Sequence, residues 1–319
     1  MKNRRDFLKL ATAFGAVVVG SSLEAKKSAE SLSETDELLR GVSDIHIHAA
    51  PDIRARLTDE LAFARQAQKA GYKAIMYKSN DFSCHDRAYL IQQALGDFEV
   101  YGSLCMNDVV GDKVNVIAAK KATETTGKLC RCIYMPTQNA RYAVKLYKQN
   151  ITPIAVLDER GRVLPEVVQV MEICRDANII FASGHCSPEE SLILAQKAKE
   201  VGVQKFVITH ANSRDWKLST DQIKKAIDLG AFIEYCFLPN LWGKGTPLSH
   251  FERASEQEFI DFVKIMPQRS FISTDLGQAG MPNPLDGMRR CISLLIKNEI
   301  AQKDIDTLVR INPYHLVQI

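Results

Sequence analysis

Four histidines and one aspartate supply the side chains that bind divalent metal ions. His46 and His48 stand two residues apart in "SDIHIHAAPD", while His185 ends "FASGH", His210 ends "VITH" and Asp275 follows "FIST". Imidazole and carboxylate are suitable ligands for zinc and similar ions. A single buried histidine is more often a hydrogen-bonded structural residue, but the recurrence at the ends of apolar runs favours a metal site.

Eight short β-branched or aromatic runs must position these residues. From Gly41 onward each run is followed by a polar turn and a longer amphipathic stretch, which predicts parallel strands joined by helices. We therefore expect a (β/α)8 TIM barrel forming one domain over residues 41–319, with a doubly wound open sheet as the alternative. The runs cover residues 43–49, 74–79, 99–107, 128–137, 179–185, 205–211, 231–237 and 270–277.

Three of the helices have recognisable ends. Starts are predicted at Thr58, Ser187 and Ser219, and glycine follows the last turn of each helix. Residues 150–163 are predicted to be an irregular insert after the fourth strand. In a barrel of this kind the reactive side chains lie at the carboxyl ends of the strands, where all five candidate ligands fall.

Other polar residues at the predicted strand ends are candidates for substrate contact. They are Lys78 after the second strand, Arg54 after "HAAPD", Asn212 after His210 and Gln278 after Asp275. A solvated arginine is an equal interpretation of Arg54. On the seventh strand Glu234 is a weaker candidate for an added carboxylate, because only its strand position supports it.

Composition narrows the classes of function. The chain has 319 residues, a net charge of +3 and 46% hydrophobic residues, with both charge signs spread along it. It has no basic block with interleaved aromatics, so we expect no nucleic-acid partner. It also has no GxSxG elbow and no phosphate-binding loop. A small-molecule substrate is expected, and the oligomeric state is open, with a homo-oligomer as one option.

The first 25 residues are typical of an export signal. Arg4-Arg5 and "FLK" precede an uncharged run, "LATAFGAVVVGSS". This pattern resembles the bacterial twin-arginine signal, which implies the export machinery as a partner and a periplasmic location. A membrane anchor is the alternative, but about a dozen apolar residues are too few to span a bilayer. Residues 26–40 are predicted to be a linker. The eight cysteines are scattered, and the sequence leaves their pairing open.

The histidine pattern resembles the amidohydrolase superfamily of metal-dependent hydrolases. The resemblance rests on an HxH on the first strand, histidines after the fifth and sixth strands and an aspartate after the eighth. It extends from about residue 41 to 319 and includes the closing "NPYHLV". The blocks "HIHAAPD", "YKSN", "MPT", "GHCS", "THAN" and "STDLGQ" are similar to an amidohydrolase-like branch to which the resemblance attaches no substrate.

The resemblance implies roles for the candidate residues. His46, His48 and Asp275 would bind one metal ion, most simply Zn2+, and His185 and His210 would complete that site or bind a second ion. Asp275 would also be the general base that takes a proton from the activated water.

The fourth strand departs from the family, because "YMPT" has no lysine or glutamate to bridge two ions. Lys78 is the second candidate catalytic residue beside Asp275. It would bind a substrate anion, be an ordinary lysine at a strand end, or bridge two ions after carboxylation.

The expected function is hydrolysis of an amide, lactone or ester-like bond in a small molecule. Two alternatives stay open. One is a zinc-dependent decarboxylase or lyase of the same fold, and the other is a metal-retaining barrel that binds a solute without catalysis. Barrels host many chemistries through their loops, so the fold does not choose among them.

Overall fold

The computed structural model describes residues 36–319. The predicted signal segment, residues 1–25, and the first ten residues of the predicted linker lie outside the described part. Residues 36–40 form a hydrogen-bonded turn, and the side chain of Leu39 is fully buried in the core. No helix within residues 36–319 is long and apolar enough to cross a membrane.

Eight parallel strands form one sheet in sequence order, and this confirms the predicted (β/α)8 barrel. The first and last strands meet at their carboxyl ends: the Asp275 N–H donates to the His46 carbonyl at 2.9 Å, and the His48 N–H donates to the Leu276 carbonyl at 2.8 Å. The strands are β1 Ser43–Ile47, β2 Ala74–Tyr77, β3 Glu99–Cys105, β4 Cys130–Tyr134, β5 Ile180–Ala182, β6 Phe206–Ile208, β7 Phe232–Cys236 and β8 Ser270–Ser273.

Helices alternate with the strands and bury their apolar faces against the sheet. The main helices are α1 Glu60–Lys69, α2 His85–Leu95, α3 Val116–Glu124, α4 Arg141–Leu146, α5 Pro165–Asp176, α6 Pro188–Val201, α7 Thr220–Asp228, α8 Glu256–Val263, α9 Pro284–Lys297, α10 Gln302–Asp306 and α11 Asn312–Val317. Short 3-10 turns lie at Asp108–Val110, Thr126–Lys128, Leu238–Asn240 and Pro267–Arg269, and a π-helical turn at Thr307–Ile311 joins α10 to α11.

Two of the three predicted helix starts are confirmed. Ser187 and Ser219 cap α6 and α7 with complete capping boxes. The prediction of Thr58 for α1 was wrong by one residue, because the Asp59 carboxylate accepts the Ala62 N–H at 2.7 Å. Thr58 is used differently, since its carbonyl accepts the Ala50 N–H at 2.9 Å and holds the loop after β1.

The irregular insert and the closing helix are also present. Residues 150–163 contain no helix or strand beyond isolated bridges at Ile154, Leu157 and Val163. The "NPYHLV" segment forms α11 at the amino-terminal end of the barrel. There the Asn312 side-chain amide donates to the Ser270 carbonyl at 2.7 Å, which ties the closing helix to the start of β8. The opposite end of the barrel is left for the candidate ligands.

Candidate metal-binding and catalytic site

The centre of the site is formed by both ends of the sheet. His46 and His48 project from β1 and its end toward the Asp275 side chain just after β8. Asp275 Oδ1 lies 3.2 Å from His46 Nε2 and 3.0 Å from His48 Nε2. Each of the three residues offers a ligand atom within 4.8 Å of the others, and all three are buried. The structure thus brings together three predicted ligands that are separated by up to 229 positions in the sequence.

The two remaining histidines extend this cluster around the barrel. The His210 ring centre lies 5.2 Å from that of His46, and the His185 ring centre lies 5.1 Å from that of His210. His210 Nδ1 is also 3.8 Å from Asp275 Oδ2. The four imidazoles and the carboxylate therefore form one continuous cluster.

Two of these residues have an uncommon backbone conformation. His210 has φ = 58° and Asp275 has φ = 55°, in the left-handed region that few non-glycine residues adopt. Such conformations cost free energy and are concentrated at functional sites. Both residues line the cavity at the mouth of the barrel.

Glycines next to two candidate ligands let neighbouring loops approach closely. A Cβ on Gly277, whose φ is 125°, would lie 1.6 Å from the His48 carbonyl oxygen. A Cβ on Gly184, whose φ is 62°, would lie 2.3 Å from the Met135 carbonyl oxygen. Only glycine fits in either place. Gly277 therefore lets the loops that carry His48 and Asp275 meet, and Gly184 lets the loop that carries His185 pack against the end of β4.

Two side chains on β7 hold the histidines from behind. The His46 Nδ1–H donates to Glu234 Oε1 at 2.9 Å, and the same oxygen accepts the Ser273 hydroxyl at 2.6 Å. Cys236 Sγ lies 3.1 Å from His210 Nδ1. The sequence indicated Glu234 only weakly and did not single out Cys236. Their spacing of two residues, which matches that of His46 and His48, was the available signal.

A third buried carboxylate joins β1 to the end of β8. Asp44 accepts the Thr274 hydroxyl at 2.6 Å, the Thr274 N–H at 3.2 Å and the His46 N–H at 3.3 Å. Its complete burial raises its pKa to about 7, although these hydrogen bonds act in the other direction. Asp44 thereby fixes the backbone that carries His46 rather than offering a free ligand atom.

The electrostatics of the cluster suit a cation. Burial lowers the pKa of His48 to about 3 and that of His210 to about 4, and it holds the pKa of His185 well below its usual range. These three rings are therefore neutral, which is the form that binds metal. His46 differs: burial acts to lower its pKa, but Glu234 and Asp275 outweigh it and raise the pKa to about 9. The two carboxylates attract a proton here, as they would attract a metal ion.

The residues fit a divalent ion. Nε2 of His46 and Nε2 of His185 are buried and have no hydrogen-bond partner among the described residues. A buried imidazole nitrogen that makes no hydrogen bond is free to bind a metal ion. A second grouping of His46, His210 and Cys236 also lies within 4.8 Å. Cys236 Sγ lies 4.0 Å from His46 Nδ1, which is already hydrogen-bonded to Glu234, so the grouping with His48 and Asp275 fits an ion better.

A cavity of about 610 Å3 opens above the cluster. His48, His185, His210 and Asp275 line it, and so do three of the four other predicted site residues, Lys78, Arg54 and Gln278. Arg54 forms an ion pair with Asp81 and hydrogen-bonds Gln138. The Gln278 amide donates to the Asp275 carbonyl at 2.7 Å, so Gln278 also braces the turn at Asp275.

Asn212, predicted to contact substrate, is used elsewhere. Its amide donates to the Cys236 carbonyl at 2.8 Å and its side-chain oxygen accepts the Cys236 N–H at 2.9 Å. It is buried and does not line the cavity. The geometry gives no support to a substrate role and makes Asn212 a clamp between the end of β6 and β7.

The fourth strand places an aromatic ring where a bridging ligand was missing from the sequence. Tyr134, at the end of β4, has its ring centre 5.8 Å from that of His46 and 5.2 Å from Lys78 Nζ. Lys78 reaches toward the same place from β2 and is buried. The side of the cluster that faces β4 therefore has a phenol and an amine instead of a carboxylate.

Fold and site together define a (β/α)8 barrel with a histidine–carboxylate cluster at the carboxyl ends of its strands. Solved structures share this fold at low sequence identity. The organophosphorus hydrolase from Deinococcus radiodurans is 14% identical, with a TM-score of 0.57 over 91% of this chain and 94% of that one. An amidohydrolase from Pseudomonas aeruginosa is 11% identical, with a TM-score of 0.56 over 88% of this chain and 97% of that one.

The chain belongs to the family of unknown function DUF6282, whose profile matches residues 41–234. That range runs from the turn before β1 into β7 and contains His46, His48, His185 and His210, while Asp275 lies beyond it. A search of curated proteins gives no match.

Proposed function

We propose that this protein is a metal-dependent hydrolase of the amidohydrolase type that cleaves an amide, lactone or ester-like bond in a small molecule. The observation that carries the proposal is the cluster of His46, His48 and Asp275, in which the buried Nε2 atom of His46 lies 3.2 Å from Asp275 Oδ1 but makes no well-aligned hydrogen bond with any of residues 36–319. The cluster opens into the cavity at the end of the barrel where such enzymes place their active sites.

His46, His48 and Asp275 would hold the ion, and His185 and His210 would complete its coordination or bind a second one. Zinc suits this set of nitrogen and oxygen ligands. When bound, a divalent ion supplies Lewis acidity, which polarises the bond to be cleaved and makes water more acidic.

Asp275 would transfer protons, and Lys78 would stabilise negative charge. The pKa of Asp275 is held well below its usual range, because the adjacent histidines outweigh its burial, so the carboxylate is ionised as a base must be. Asp275 Oδ2 makes no hydrogen bond to a described residue and would accept the proton of the attacking water, then pass it to the leaving group. The Lys78 amine would hold negative charge on the substrate.

The similarity in fold to known hydrolases is consistent with this proposal, which rests on the site itself. One similar structure is described as engineered organophosphate hydrolysis from a weak promiscuous lactonase template; it is 13% identical, with a TM-score of 0.57 over 87% of this chain and 95% of that one. The three similar proteins are described by hydrolytic or lactonase names, and the cluster found here would permit the same class of reaction.

The test combines metal analysis with turnover. Purified protein should contain divalent metal, and its zinc form should hydrolyse members of a panel of lactones, aryl esters and amides. Asp275→Asn should lose turnover by about a hundredfold or more, as expected when a general base is lost. Absence of bound metal after incubation with zinc would contradict the proposal. Release of CO2 from small acids without hydrolysis would favour a lyase, and metal binding with tight solute binding but no turnover would favour a solute-binding barrel.

We also propose export to the periplasm through residues 1–25. Arg4-Arg5 before an apolar run supports this. Fractionation of cells that express the full chain should place it outside the cytoplasm, and Arg4→Lys with Arg5→Lys should retain it inside. Equal export of both forms would contradict a twin-arginine signal.

A further inference from the structure

The cavity above the proposed metal site has two chemically different sides. Lys78 follows β2 and Trp216 follows β6, which are four strands apart in an eight-stranded barrel. Their strands therefore lie on opposite sides of the barrel, and both side chains line the cavity of about 610 Å3. The Trp216 ring centre lies 4.3 Å from that of His185 and 5.4 Å from that of His210, whereas Lys78 Nζ lies over Tyr134, the ring next to His46. A ligand that reaches both sides must place its middle over the candidate catalytic groups.

One side is an aromatic wall made of Tyr147, Trp216, Trp242 and Phe251. The Trp242 and Phe251 rings stack with centres 4.2 Å apart and planes at 13°. Tyr147 meets Trp216 at 6.2 Å and Phe251 at 6.0 Å, each time edge to face. Trp216 Nε1 is buried and has no hydrogen-bond partner among residues 36–319. Such a wall favours a ring or another apolar group.

Hydrogen bonds fix this wall before any ligand enters. The Tyr147 hydroxyl donates to Asp215 Oδ2 at 2.7 Å, next to Trp216 in the chain. The Trp242 Nε1–H donates to the Glu252 carbonyl at 3.0 Å. Pre-formed walls bind rings with little loss of conformational entropy.

The other side of the cavity is formed by the buried side chain of Lys78. Lys78 is 2% exposed, and Nζ makes no salt bridge within the described residues. Its Nζ lies over the Tyr134 ring, 5.2 Å from the centre. The two arginines of the cavity differ, because Arg54 is paired with Asp81 and Arg56 with Asp52. A buried ammonium that lacks an ion pair gains most from an anionic ligand.

We infer that the substrate joins an aromatic or similarly sized apolar ring to a carboxylate, with the bond to be hydrolysed between them. The ring lies on the aromatic wall, and the carboxylate accepts hydrogen bonds from Lys78. This inference rests on the proposed function, because it takes the same cavity as the substrate site. It adds the class of substrate, an anionic aryl amide, ester or lactone, and makes Lys78 and Trp216 residues that determine specificity.

The experiment measures binding, so that it does not depend on turnover. Isothermal titration compares 4-phenylbutanoate with its neutral amide, 4-phenylbutanamide, and with hexanoate, which lacks the ring. Each is measured on the zinc-loaded full-length protein and again after the metal is removed by a chelator. We expect 4-phenylbutanoate to bind at least about tenfold more tightly than either comparison ligand in both forms, which corresponds to one charge-assisted hydrogen bond or one stacked ring.

Two variants test which side chains cause the preference for 4-phenylbutanoate. Lys78→Met should bring the acid to the affinity of the amide, and Trp216→Leu should bring it to the affinity of hexanoate. Lys73→Met is the matched control, since its ammonium is paired with Glu99 outside the cavity, and it should leave all three affinities unchanged. Circular dichroism and thermal melting check that each variant folds, and the wild-type comparison stands even where a variant does not.

Three results would overturn the inference: equal binding of the acid and the amide, a preference for the acid seen only with zinc, or a preference that survives Lys78→Met. None of these would touch the hydrolase proposal, which depends on metal content and turnover. The converse result is a protein that binds no metal but still prefers 4-phenylbutanoate. It would contradict the proposed hydrolase function and support the inferred preference of the cavity for a ring and a carboxylate.

Discussion

The Glu234 carboxylate and the His46 imidazole form a buried pair joined by a hydrogen bond of 2.9 Å from Nδ1 to Oε1. This bond fixes the ring orientation and the tautomer, so that Nε2 points at Asp275 and His48. Carboxylates that hold metal-binding histidines in this way raise the basicity of the ligand and limit its motion. Glu234 is therefore a positioning residue for the proposed metal site.

Replacing Glu234 with glutamine should weaken metal binding by about 10- to 100-fold, because the amide holds His46 less firmly and carries no negative charge. Competition against a chelator of known affinity measures the change. Glu60→Gln is the matched control: it also removes a buried carboxylate, but one that is hydrogen-bonded to Arg87 at 2.8 Å and to none of the candidate ligands. The control should lose stability and keep its metal affinity. Equal metal affinity in Glu234→Gln and wild type would contradict a positioning role for Glu234.

Removal of the metal should lower stability as well as activity. A ligand that binds only the folded state at a hundredfold excess over its Kd stabilises that state by about 2.7 kcal/mol. Dialysis against a chelator should thus lower the melting temperature, and zinc should restore it. In a His46→Asn and Asp275→Asn double variant, zinc should produce no such shift, because the central ligands are missing. A shift of equal size in that variant would place the bound ion elsewhere.

Much of this arrangement follows from sequence periodicity and topology. The spacing of His46 and His48 puts both on one face of a strand, and a parallel barrel gathers His185, His210 and Asp275 at the same end. What periodicity could not give is the pairing between distant elements. Glu234 lies 188 positions from His46, and only the register of β7 beside β8 brings them together.

Asn212 is a second residue whose role could not be decided from the sequence alone. An amide at a strand end is equally suited to a substrate and to a neighbouring backbone. The choice depends on whether a free N–H and C=O lie opposite, and here those of Cys236 do. Thr58 and Asp59 differ in a similar way: both can cap a helix, and the bridge to Ala50 decides between them.

Asn212→Ala should destabilise the protein without changing substrate recognition. The change leaves the N–H and C=O of Cys236 buried without partners, at a cost of about 1–3 kcal/mol each. Chemical denaturation measures the loss, and the KM for any substrate found should stay within about twofold of wild type, since Asn212 does not line the cavity. A large rise in KM with unchanged stability would instead support a role for Asn212 in substrate binding.

Gly277→Ala should disturb the site far more than an ordinary glycine replacement. The added Cβ would lie 1.6 Å from the His48 carbonyl oxygen, so the loops after β1 and β8 must separate. Gly230→Ala is the control, because its φ of 97° is also positive but nothing lies within 4 Å of an added Cβ. The control isolates the conformational cost of a non-glycine residue at positive φ, about 1–3 kcal/mol. Gly277→Ala should exceed it in unfolding free energy and also lose metal affinity. Equal effects in the two variants would mean that the loops tolerate separation.

The eight cysteines should all be unreactive thiols in the native protein. Every one is buried and free, which answers the question that the sequence left open about pairing. Burial raises the pKa of Cys84, Cys105 and Cys130, so the reactive thiolate is scarce as well as inaccessible. A thiol reagent such as 5,5′-dithiobis(2-nitrobenzoate) should modify none of them in native protein and all eight in guanidinium chloride. Because no disulfide stabilises the fold, a reducing agent should leave the melting temperature unchanged. Rapid modification of a native thiol, or fewer than eight thiols after unfolding, would contradict this arrangement.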